Sequence, residues 1–448
     1  MNIKQLHLIL LYILFWLPVT LSAGQASNNT PNPLSGDSLT LSQIMQVVLQ
    51  NHPSVKQAEE ALNTADARIG LSKANYYPEI DATASYSHLA PDFALDFGGM
   101  DLLLFAKNNY DAALNVNQII YDFGKTSNGI NVENENKNII NKNIDLIKQQ
   151  LTLKTISTFY LLVYYQQAVN IKDEELNTLK EHLTYIEKKQ ATGSATQYEL
   201  LSTKVRISNT ENQKEDLITY QDIQWSVLNT LTGVVAQKGQ HLKQELKSDQ
   251  PFLLADSLVN YAFNHRIELA IAKEKETQAQ LKLEVVKTQN SPVLSAFGSA
   301  GFKNGYLASL EPSALDKLYG NYIVGVGLKV PIFDSNRHKY NLDQAKSNIS
   351  SVSFDTDIAR RNITNEVTEA NVNCIAAEKK IDQYHLQLDQ AQEAYQLAKV
   401  NFDSGAITNL DLLDSETAVS ESKLLLLKAN IDYIVYSYKL KIALGDKF

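Results

Sequence analysis

The sequence of 448 residues has little of the two amino acids that interrupt helices. It contains ten prolines and 18 glycines, and no proline lies between Pro91 and Pro251 or after Pro331. Proline breaks a helix interior because it lacks a backbone N–H and its ring clashes with the preceding turn, and glycine also weakens helices. The two long proline-free stretches therefore predict very long helices.

Reactive side chains are also scarce. The one cysteine, Cys374, lies in a helical pattern, so no disulfide can form within a chain. The eight histidines are scattered, and the sequence has neither an HExxH motif nor a glycine-rich phosphate loop. His52 and His265 recur in both halves near a helix bend, which favours a structural role over metal ligation. We expect no enzymatic activity, no cofactor and no metal site.

Basic residues do not cluster anywhere in the chain. The formal net charge is −9 and the pI is about 5.5. Nucleic-acid binding needs grouped Lys and Arg side chains that contact phosphates. The composition therefore excludes a nucleic-acid partner.

Apolar runs are short, and the one near the N-terminus extends from Leu8 to Leu17 after a lysine. About a dozen apolar residues are too few to cross a bilayer core of roughly 30 Å, which favours a secretory signal peptide over a membrane anchor. We expect residues 1–26 to be this signal and residues 27–39 to be flexible. Cleavage after Ala23 or Ala26 leaves no N-terminal cysteine, which argues against a lipoprotein. A membrane-embedded part of the mature chain is then expected to consist of strands.

The second half of the sequence repeats the first. Residues 193–201 (GSATQYELL) match residues 405–413 (GAITNLDLL) at an offset of 212. The same offset relates further pairs, namely Tyr121 to Phe333, Asp122 to Asp334 and Gly233 to Gly445. Several matches in the same order over most of the chain indicate a duplicated structural unit.

Each repeat contains the same order of predicted elements. The first helix begins at Thr40, where Gln43 completes a capping box, and ends near Tyr76. After Pro78 polar and apolar residues alternate with a period of two, which predicts strands. The first repeat is predicted at 40–233, with a strand hairpin at 79–122, a long helix at 125–190 and a returning helix at 194–231. An equatorial segment at 234–256 connects the two repeats. The second repeat is predicted at 257–445, with its strand hairpin at 293–333, its long helix at 337–402 and its returning helix at 406–444.

The long helices are predicted to extend roughly 100 Å each, at 1.5 Å per residue. Their apolar residues recur at steps of three and four, which is typical of a coiled-coil seam. The seam comprises Leu176, Leu179, Leu183 and Ile186 in the first copy, and Ile381, Tyr384, Leu388, Ala391, Tyr395, Ala398 and Phe402 in the second. Gly193 and Gly405 mark tight turns into the returning helices. The opening and returning helices, stacked end to end, match one long helix in length.

One strand of the second repeat shows the clearest alternation. Its apolar face, expected to meet lipid, comprises Tyr322, Val324, Val326, Leu328, Val330 and Ile332. Gly325, Gly327 and Lys329 lie on the other face, and a soluble sheet with one buried face is the alternative. Two hairpins give four strands per chain, and four strands cannot close in lipid, where every edge must be paired. Several chains are therefore expected to share one barrel, with the loops 89–109 and 304–320 outside the cell.

The element order, the strand-ending segments 120–124 (IYDFG) and 331–334 (PIFD) and the two glycine turns resemble the TolC-like outer-membrane efflux proteins. The resemblance extends from Leu39 to Gly445. It implies an α+β membrane protein, a homotrimer whose four strands per chain form a twelve-stranded β-barrel continued by a long α-helical coiled-coil periplasmic barrel. It also implies an outer-membrane location with a large periplasmic portion, and the role of exit channel in a tripartite efflux or type I secretion system.

The same resemblance implies partners and site residues. The partners are outer-membrane lipid, a periplasmic adaptor (membrane fusion protein) and an inner-membrane pump of RND, ABC or MFS type. The turns that would meet the adaptor are Thr192-Gly193-Ser194 and Ser404-Gly405-Ala406, and the acidic pore aperture would comprise Glu199, Asp411 and Asp414. Carboxylates repeated around a narrow opening attract cations, whereas the plain alternative is that they stabilise helix starts.

The second repeat departs from the family pattern at two positions near its turn. Ile407 and Phe402 stand where an arginine and a tyrosine tether the closed aperture in the best-known member, so we expect other contacts at this place. Ser202 is the first-repeat counterpart of Asp414, so the two repeats are not equivalent at the aperture.

Two other classes of function are consistent with a helical protein. One is a periplasmic coiled-coil adaptor or scaffold without a channel, which normally has one helical hairpin and not two full copies. The other is an enzyme or binding module on a helical scaffold, for which no constellation of residues is present. Drug, metal and protein exporters share the same exit duct, and the sequence leaves the cargo open.

Overall fold

The computed structural model describes residues 38–91, 94–96, 98–99, 101–103, 105–234, 240–243, 255–305 and 315–446. The expected signal peptide, most of the segment 27–39 and much of the inter-repeat segment 234–256 lie outside these residues. Among the helices described, none has an apolar stretch long enough to cross a membrane.

Both repeats contain the predicted series of helix, strand pair, long helix and returning helix. The first comprises β1 (Ser38–Thr40), α1 (Leu41–Asn51), α2 (Pro53–Ala74), β2 (Glu79–His88), β3 (Ala94–Asp96), β4 (Asp101–Leu103), β5 (Asn108–Tyr121), α3 (Lys125–Ala191) and α4 (Gln197–Thr232). The second comprises β6 (His241–Lys243), α5 (Ala255–His265), α6 (Ile267–Thr288), β7 (Val293–Lys303), β8 (Tyr319–Lys329), α7 (Arg337–Asp403) and α8 (Asn409–Leu444). The long helices α3 and α7 both have 67 residues, and the returning helices α4 and α8 both have 36.

The opening helix of each repeat is broken, which corrects the prediction of one helix from Thr40 to Tyr76. The chain is extended at His52, and Pro53 becomes the first residue of α2 because proline cannot continue a helix. The Nδ1 atom of His52 accepts a hydrogen bond from the Ser54 N–H at 3.2 Å. This cap confirms a structural role for His52, and the Thr40–Gln43 capping box is also confirmed.

Two segment boundaries also differ from the prediction. Ser38 and Leu39, expected in a flexible segment, lie in β1, which pairs in parallel with β6, and Leu39 is buried. Strand β8 ends at Lys329, so Val330 and Ile332 of the predicted lipid-facing strand lie beyond it. Pro331 has no N–H to donate to a neighbouring strand, which explains why the pairing stops there.

The two strand hairpins form one four-stranded antiparallel sheet in the order β2-β5-β7-β8. Register places apolar side chains of all four strands on one face, in rows such as Ala82, Leu114, Ala300 and Tyr322. The other face carries Phe297 and Ile323 together with polar pairs: the Asn115 side-chain amide donates to Asp81 at 2.9 Å, and the Ser299 hydroxyl donates to Asn115 at 2.9 Å. The strands β2 and β8 are the two edges of this sheet.

Apolar clusters hold the helices together at several heights. The largest joins α1, α3, α4 and α8 and includes Phe159, Tyr160 and Trp225. Another joins α5, α7 and α8 around Cys374, and burial raises the pKa of this thiol, which makes it a poor nucleophile. Towards the glycine turns, two smaller clusters pack the first hairpin against the second; they comprise Leu176, Leu179, Ile207 and Leu413, and Ile186, Leu200, Phe402 and Leu412. The predicted seam is thus confirmed at Leu176, Leu179, Ile186 and Phe402.

Close approach of two strands requires a glycine at position 301. A Cβ atom at Gly301 would lie 2.2 Å from the carbonyl oxygen of Ala112, whereas one at Gly298 on the same strand would have its nearest neighbour at 3.7 Å. We expect Gly301→Ala to destabilise the protein by about 1–3 kcal/mol, because backbone must shift to admit the methyl group. Thermal unfolding followed by far-ultraviolet circular dichroism should show a lowered midpoint for Gly301→Ala and little change for Gly298→Ala. Equal midpoints for the two variants would contradict the close approach.

Candidate functional site

The two turns between long and returning helices form the hairpin tips, defined here as residues 192–196 and 404–408. Gly193 and Gly405 adopt left-handed φ values of 78° and 75°. The Ser194 N–H donates to the Lys189 carbonyl, and the Ala406 N–H to the Asn401 carbonyl, both at 2.8 Å. These bonds close the helix ends, and glycine is favoured because other residues are strained at such φ values. The predicted docking-turn residues are all exposed: Thr192, Gly193, Ser194, Ser404, Gly405 and Ala406.

Both returning helices begin with a capping box at the tip. The Thr196 N–H donates to Glu199 Oε2 at 2.6 Å, and the Thr408 N–H donates to Asp411 Oδ2 at 2.9 Å. Hydrogen bonds from the Thr408 hydroxyl and N–H hold the pKa of Asp411 below its usual range, so this carboxylate is ionised at neutral pH. Two of the three predicted aperture carboxylates therefore also stabilise helix starts.

The third aperture carboxylate, Asp414, lies one turn further along α8 and is ion-paired with Arg206 of α4. The Asp414 side chain remains 61% exposed, so the pair is solvated on one side. Sequence reasoning missed Arg206. The offset of 212 places Ala418 opposite Arg206 and Ser202 opposite Asp414, so each repeat carries the charge that the other lacks.

Asn409, the first residue of α8, joins this helix to α3 and α4 of the first hairpin, and sequence reasoning missed it as well. Its side chain is buried, and its Nδ2 atom donates to the Thr203 hydroxyl at 3.1 Å and to the Glu199 carbonyl at 3.3 Å. Its Oδ1 atom lies 2.6 Å from the Nε2 atom of His182 on α3. Burial lowers the pKa of His182, so the ring is neutral at pH 7, with Nε2 as the donor in this bond. The sequence contains one sign of this difference between the repeats: Asn409 directly follows the cap residue of α8, whereas the equivalent residue of the first repeat, at the offset of 212, is Gln197.

Aromatic contacts occupy the place where the family resemblance suggested polar tethers. The Phe402 ring packs edge-on against His182, with ring centroids 5.4 Å apart. The Nζ atom of Lys189 lies 5.0 Å from the Phe402 ring centroid and 4.8 Å from that of Tyr185. The Tyr185 hydroxyl donates to Asp403 Oδ1 at 3.2 Å, and Ile407 packs against the cluster that contains Phe402. Packing and cation–π contacts therefore join the two hairpins here.

A buried polar layer lies further from the tips. The Glu175 carboxylate of α3 accepts hydrogen bonds from Lys172 Nζ at 2.7 Å, from the Thr210 hydroxyl at 3.2 Å and from the Ser420 hydroxyl. Glu416 of α8 belongs to the same layer, and its side chain is buried. Burial and the neighbouring Glu175 raise the pKa of Glu416 to about 8, against the effect of Arg206. Glu416 is therefore mostly protonated at neutral pH.

The described residues contain no group of three or more His, Cys, Asp or Glu side chains that could hold a metal ion. The tips instead present small exposed turns and carboxylates. This arrangement suits contact with another protein and with ions.

Comparison with known proteins gives consistent matches. The family model described as Outer membrane efflux protein matches residues 44–234 and 258–446, which is most of both repeats. Outer membrane protein TolC of Salmonella enteritidis is 20% identical over 432 residues, which cover 92% of this chain and 84% of that protein. Nodulation protein T of Rhizobium leguminosarum bv. trifolii is 22% identical over 419 residues, which cover 92% of this chain and 86% of that protein.

A solved structure shows the same fold. The crystal structure of the Campylobacter jejuni CmeC outer membrane channel matches with a TM-score of 0.74 at 18% sequence identity, over 90% of this chain and 85% of that chain. The expected family resemblance is confirmed, as is the α+β character of the fold. The alternatives of a periplasmic adaptor and of an enzyme on a helical scaffold are set aside, because the family model covers both repeats. The chain belongs to the outer membrane efflux protein family, and it is an outer-membrane channel protein with a large periplasmic portion and not an enzyme.

Proposed function

We propose that three copies of this chain form a single exit duct. Their sheets close into a twelve-stranded barrel in the outer membrane, and their helices continue it as a periplasmic tunnel that narrows at the hairpin tips. Cargo enters from an inner-membrane pump through a periplasmic adaptor that contacts the tips. The observation that carries this proposal is the four-stranded sheet, which has two edges within one chain and one continuous apolar face.

The two faces of the sheet support a membrane position. Four apolar side chains of β8 are between 64% and 81% exposed, namely Tyr322, Val324, Val326 and Leu328. A protein surrounded by water rarely exposes a contiguous patch of large apolar side chains. The register places apolar residues of the other strands in the same face. Lipid would cover this face, and the other face with Asp81 and Asn115 would line a water-filled duct.

The two edges support oligomerisation. In a bilayer the N–H and C=O groups of an unpaired edge would have no water to bind, and each would cost several kcal/mol. Strand β2 of one copy and β8 of the next can satisfy each other, and the antiparallel alternation then continues around the ring. Three copies give twelve strands, which is within the range of outer-membrane barrels.

The hairpin tips support the two remaining parts of the proposal. Glu199, Asp411 and Asp414 lie on the first two turns of α4 and α8, at the same end of the hairpins. Threefold symmetry would repeat them around the opening and give it a negative field. Small residues at the exposed turns allow another backbone to approach closely, as docking of an adaptor requires.

Disulfide trapping tests the shared barrel. In a Cys374→Ser background, Ala84→Cys on β2 is combined in turn with Tyr322→Cys, Val324→Cys, Val326→Cys or Leu328→Cys on β8, because all five residues share one face of the sheet. We expect at least one combination to give a covalent trimer on denaturing gels, since neighbouring strands bring facing Cβ atoms to about 4.5–5.5 Å. Each single cysteine serves as a control. Monomers in every combination would contradict the barrel.

Charge removal tests the aperture. Asp411→Asn keeps an oxygen acceptor for the helix cap, and together with Asp414→Asn it removes two negative charges per chain. In planar bilayers the double variant should lose most of its cation selectivity, because the field at the opening depends on these charges. Glu393→Gln, an exposed change on α7, is the control and should leave selectivity unchanged. Unaltered selectivity and unaltered block by divalent cations in the double variant would rule out an acidic aperture.

Substitution at the turns tests adaptor docking. A Cβ atom at Gly193, Gly405 or Gly233 would meet nothing within 4 Å, and all three have left-handed φ. Lysine at any of them should cost a similar 1–2 kcal/mol or so of backbone strain. We expect Gly193→Lys and Gly405→Lys to abolish export while trimers still assemble, and Gly233→Lys, at the other end of α4, to retain export. Loss of trimers in the tip variants alone would indicate turns with a purely structural role.

A further inference from the structure

A cavity of about 260 Å³ lies between the two helical hairpins, close to the tips. Its walls come from α3 of the first hairpin and from α7 and α8 of the second. Glu416 lies in its lining, together with Tyr395, His182 and the exposed residues Glu181, Asp403 and Lys399. None of the docking-turn residues and none of the aperture carboxylates lines this cavity.

Glu416 is the unusual group in this cavity. Its side chain is 7% exposed, and its Oε1 atom is buried without a hydrogen-bond partner among the described residues. The donors of this layer, Lys172, Thr210 and Ser420, all bind Glu175 instead. A buried carboxyl oxygen without a partner is destabilising, so a ligand that donates a hydrogen bond to this carboxyl group is favoured.

The walls favour a ligand with positive charge. The carboxylates Glu181 and Asp403 outnumber the one lysine of the lining, Lys399, and all three side chains are exposed. His182 is neutral because burial lowers its pKa. The half-buried ring of Tyr395 lines the cavity, and the neighbouring rings of Tyr185 and Phe402 already bind a cation, with Lys189 Nζ at 4.8 and 5.0 Å from their centroids.

The volume limits the size of the ligand. Pockets for drug-sized molecules have about 300–1,000 Å³, and this cavity lies just below that range. An alkylammonium or arylalkylammonium ion of few heavy atoms combines an N–H donor, a positive charge and an apolar body. We infer that the cavity between the hairpins is a binding site for a compact organic ammonium ion, whose N–H group donates to Glu416.

Binding at this site should depend on pH. The charged and titratable groups that face Glu416 or line the cavity are Glu175, Glu181, His182 and Tyr185 of α3, Arg206 of α4, and Tyr395, Lys399 and Asp403 of α7. Because burial raises the pKa of Glu416 to about 8, the carboxyl is protonated below that pH and must release its proton when a cation binds. Affinity should therefore rise by up to roughly tenfold per pH unit from about pH 6 and level off above about pH 8.

Calorimetry on the purified full-length protein in detergent tests the site, with phenethylammonium as the probe and 2-phenylethanol as its uncharged analogue. We expect saturable binding of the cation, at least tenfold weaker binding of the alcohol, and proton uptake by the buffer at neutral pH. Glu416→Gln resembles the protonated acid and should weaken cation binding roughly tenfold or more and remove its pH dependence. Glu421→Gln, an exposed change on the same helix, should change neither, and Lys399→Met should strengthen binding.

Three results would overturn the inference: no saturable binding of phenethylammonium by the wild type at about pH 8, equal affinity for 2-phenylethanol, or unchanged affinity and pH dependence in Glu416→Gln. If Glu416→Gln fails to assemble, the wild-type pH profile and Lys399→Met decide the question. These measurements involve no transport, so they can fail while the proposed duct stands, and the reverse also holds.

Discussion

The structure depends on apolar contact between two helical hairpins of equal length. Each hairpin has a 67-residue helix, and an isolated helix of that length would expose apolar residues along its whole seam. Packing one hairpin against the other buries Leu176 and Leu179 beside Leu413, and Ile186 beside Phe402. This contact fixes the relative height of the two hairpins, and the Asn409 bonds and the Glu416 cavity exist because the hairpins lie side by side.

The polar contacts near the tips show how two copies of one unit have come to differ. Arg206 in the first repeat pairs with Asp414 in the second, although the offset of 212 gives neither a charged counterpart. Glu175 similarly has Gln387 as its counterpart, and Glu416 has Lys204. The Arg206–Asp414 ion pair can therefore form only between the two different copies, whereas Glu175 and Glu416 still bring two acidic groups together.

Much of the fold followed from local physical rules in the sequence. Proline-free stretches, the seam spacing and the glycine turns predicted the long hairpins, since these features act within one or two helical turns. The break at His52 was signalled by Pro53 and was overlooked, whereas the matching break at Arg266 has no proline to signal it. The strand β1 could not be read from its three residues, because its partner β6 lies some two hundred residues further along the chain.

The site was predictable where it rests on turns and caps and unpredictable where it rests on packing between repeats. Glu199 and Asp411 stand at fixed distances from Gly193 and Gly405, so the duplicated motif marked them. The surroundings of Arg206, Asn409 and Glu416 are formed only when the hairpins pack together. Neither the spacing nor the type of these residues predicts those surroundings. Whether a carboxyl group is buried and lacks a hydrogen-bond partner depends on tertiary packing, which the local sequence does not specify.

The first and last elements of the first repeat pack against each other. Strand β1 and helix α1, at its start, share a cluster with Leu228 and Leu231 near the end of α4. In the second repeat, the Arg266 guanidinium at the break between α5 and α6 donates to the Ala443 carbonyl at 3.2 Å, near the end of α8. A unit whose ends meet can be copied in tandem with a short connection and without rebuilding its interior, so a gene for a single unit could grow into this chain by fusion alone.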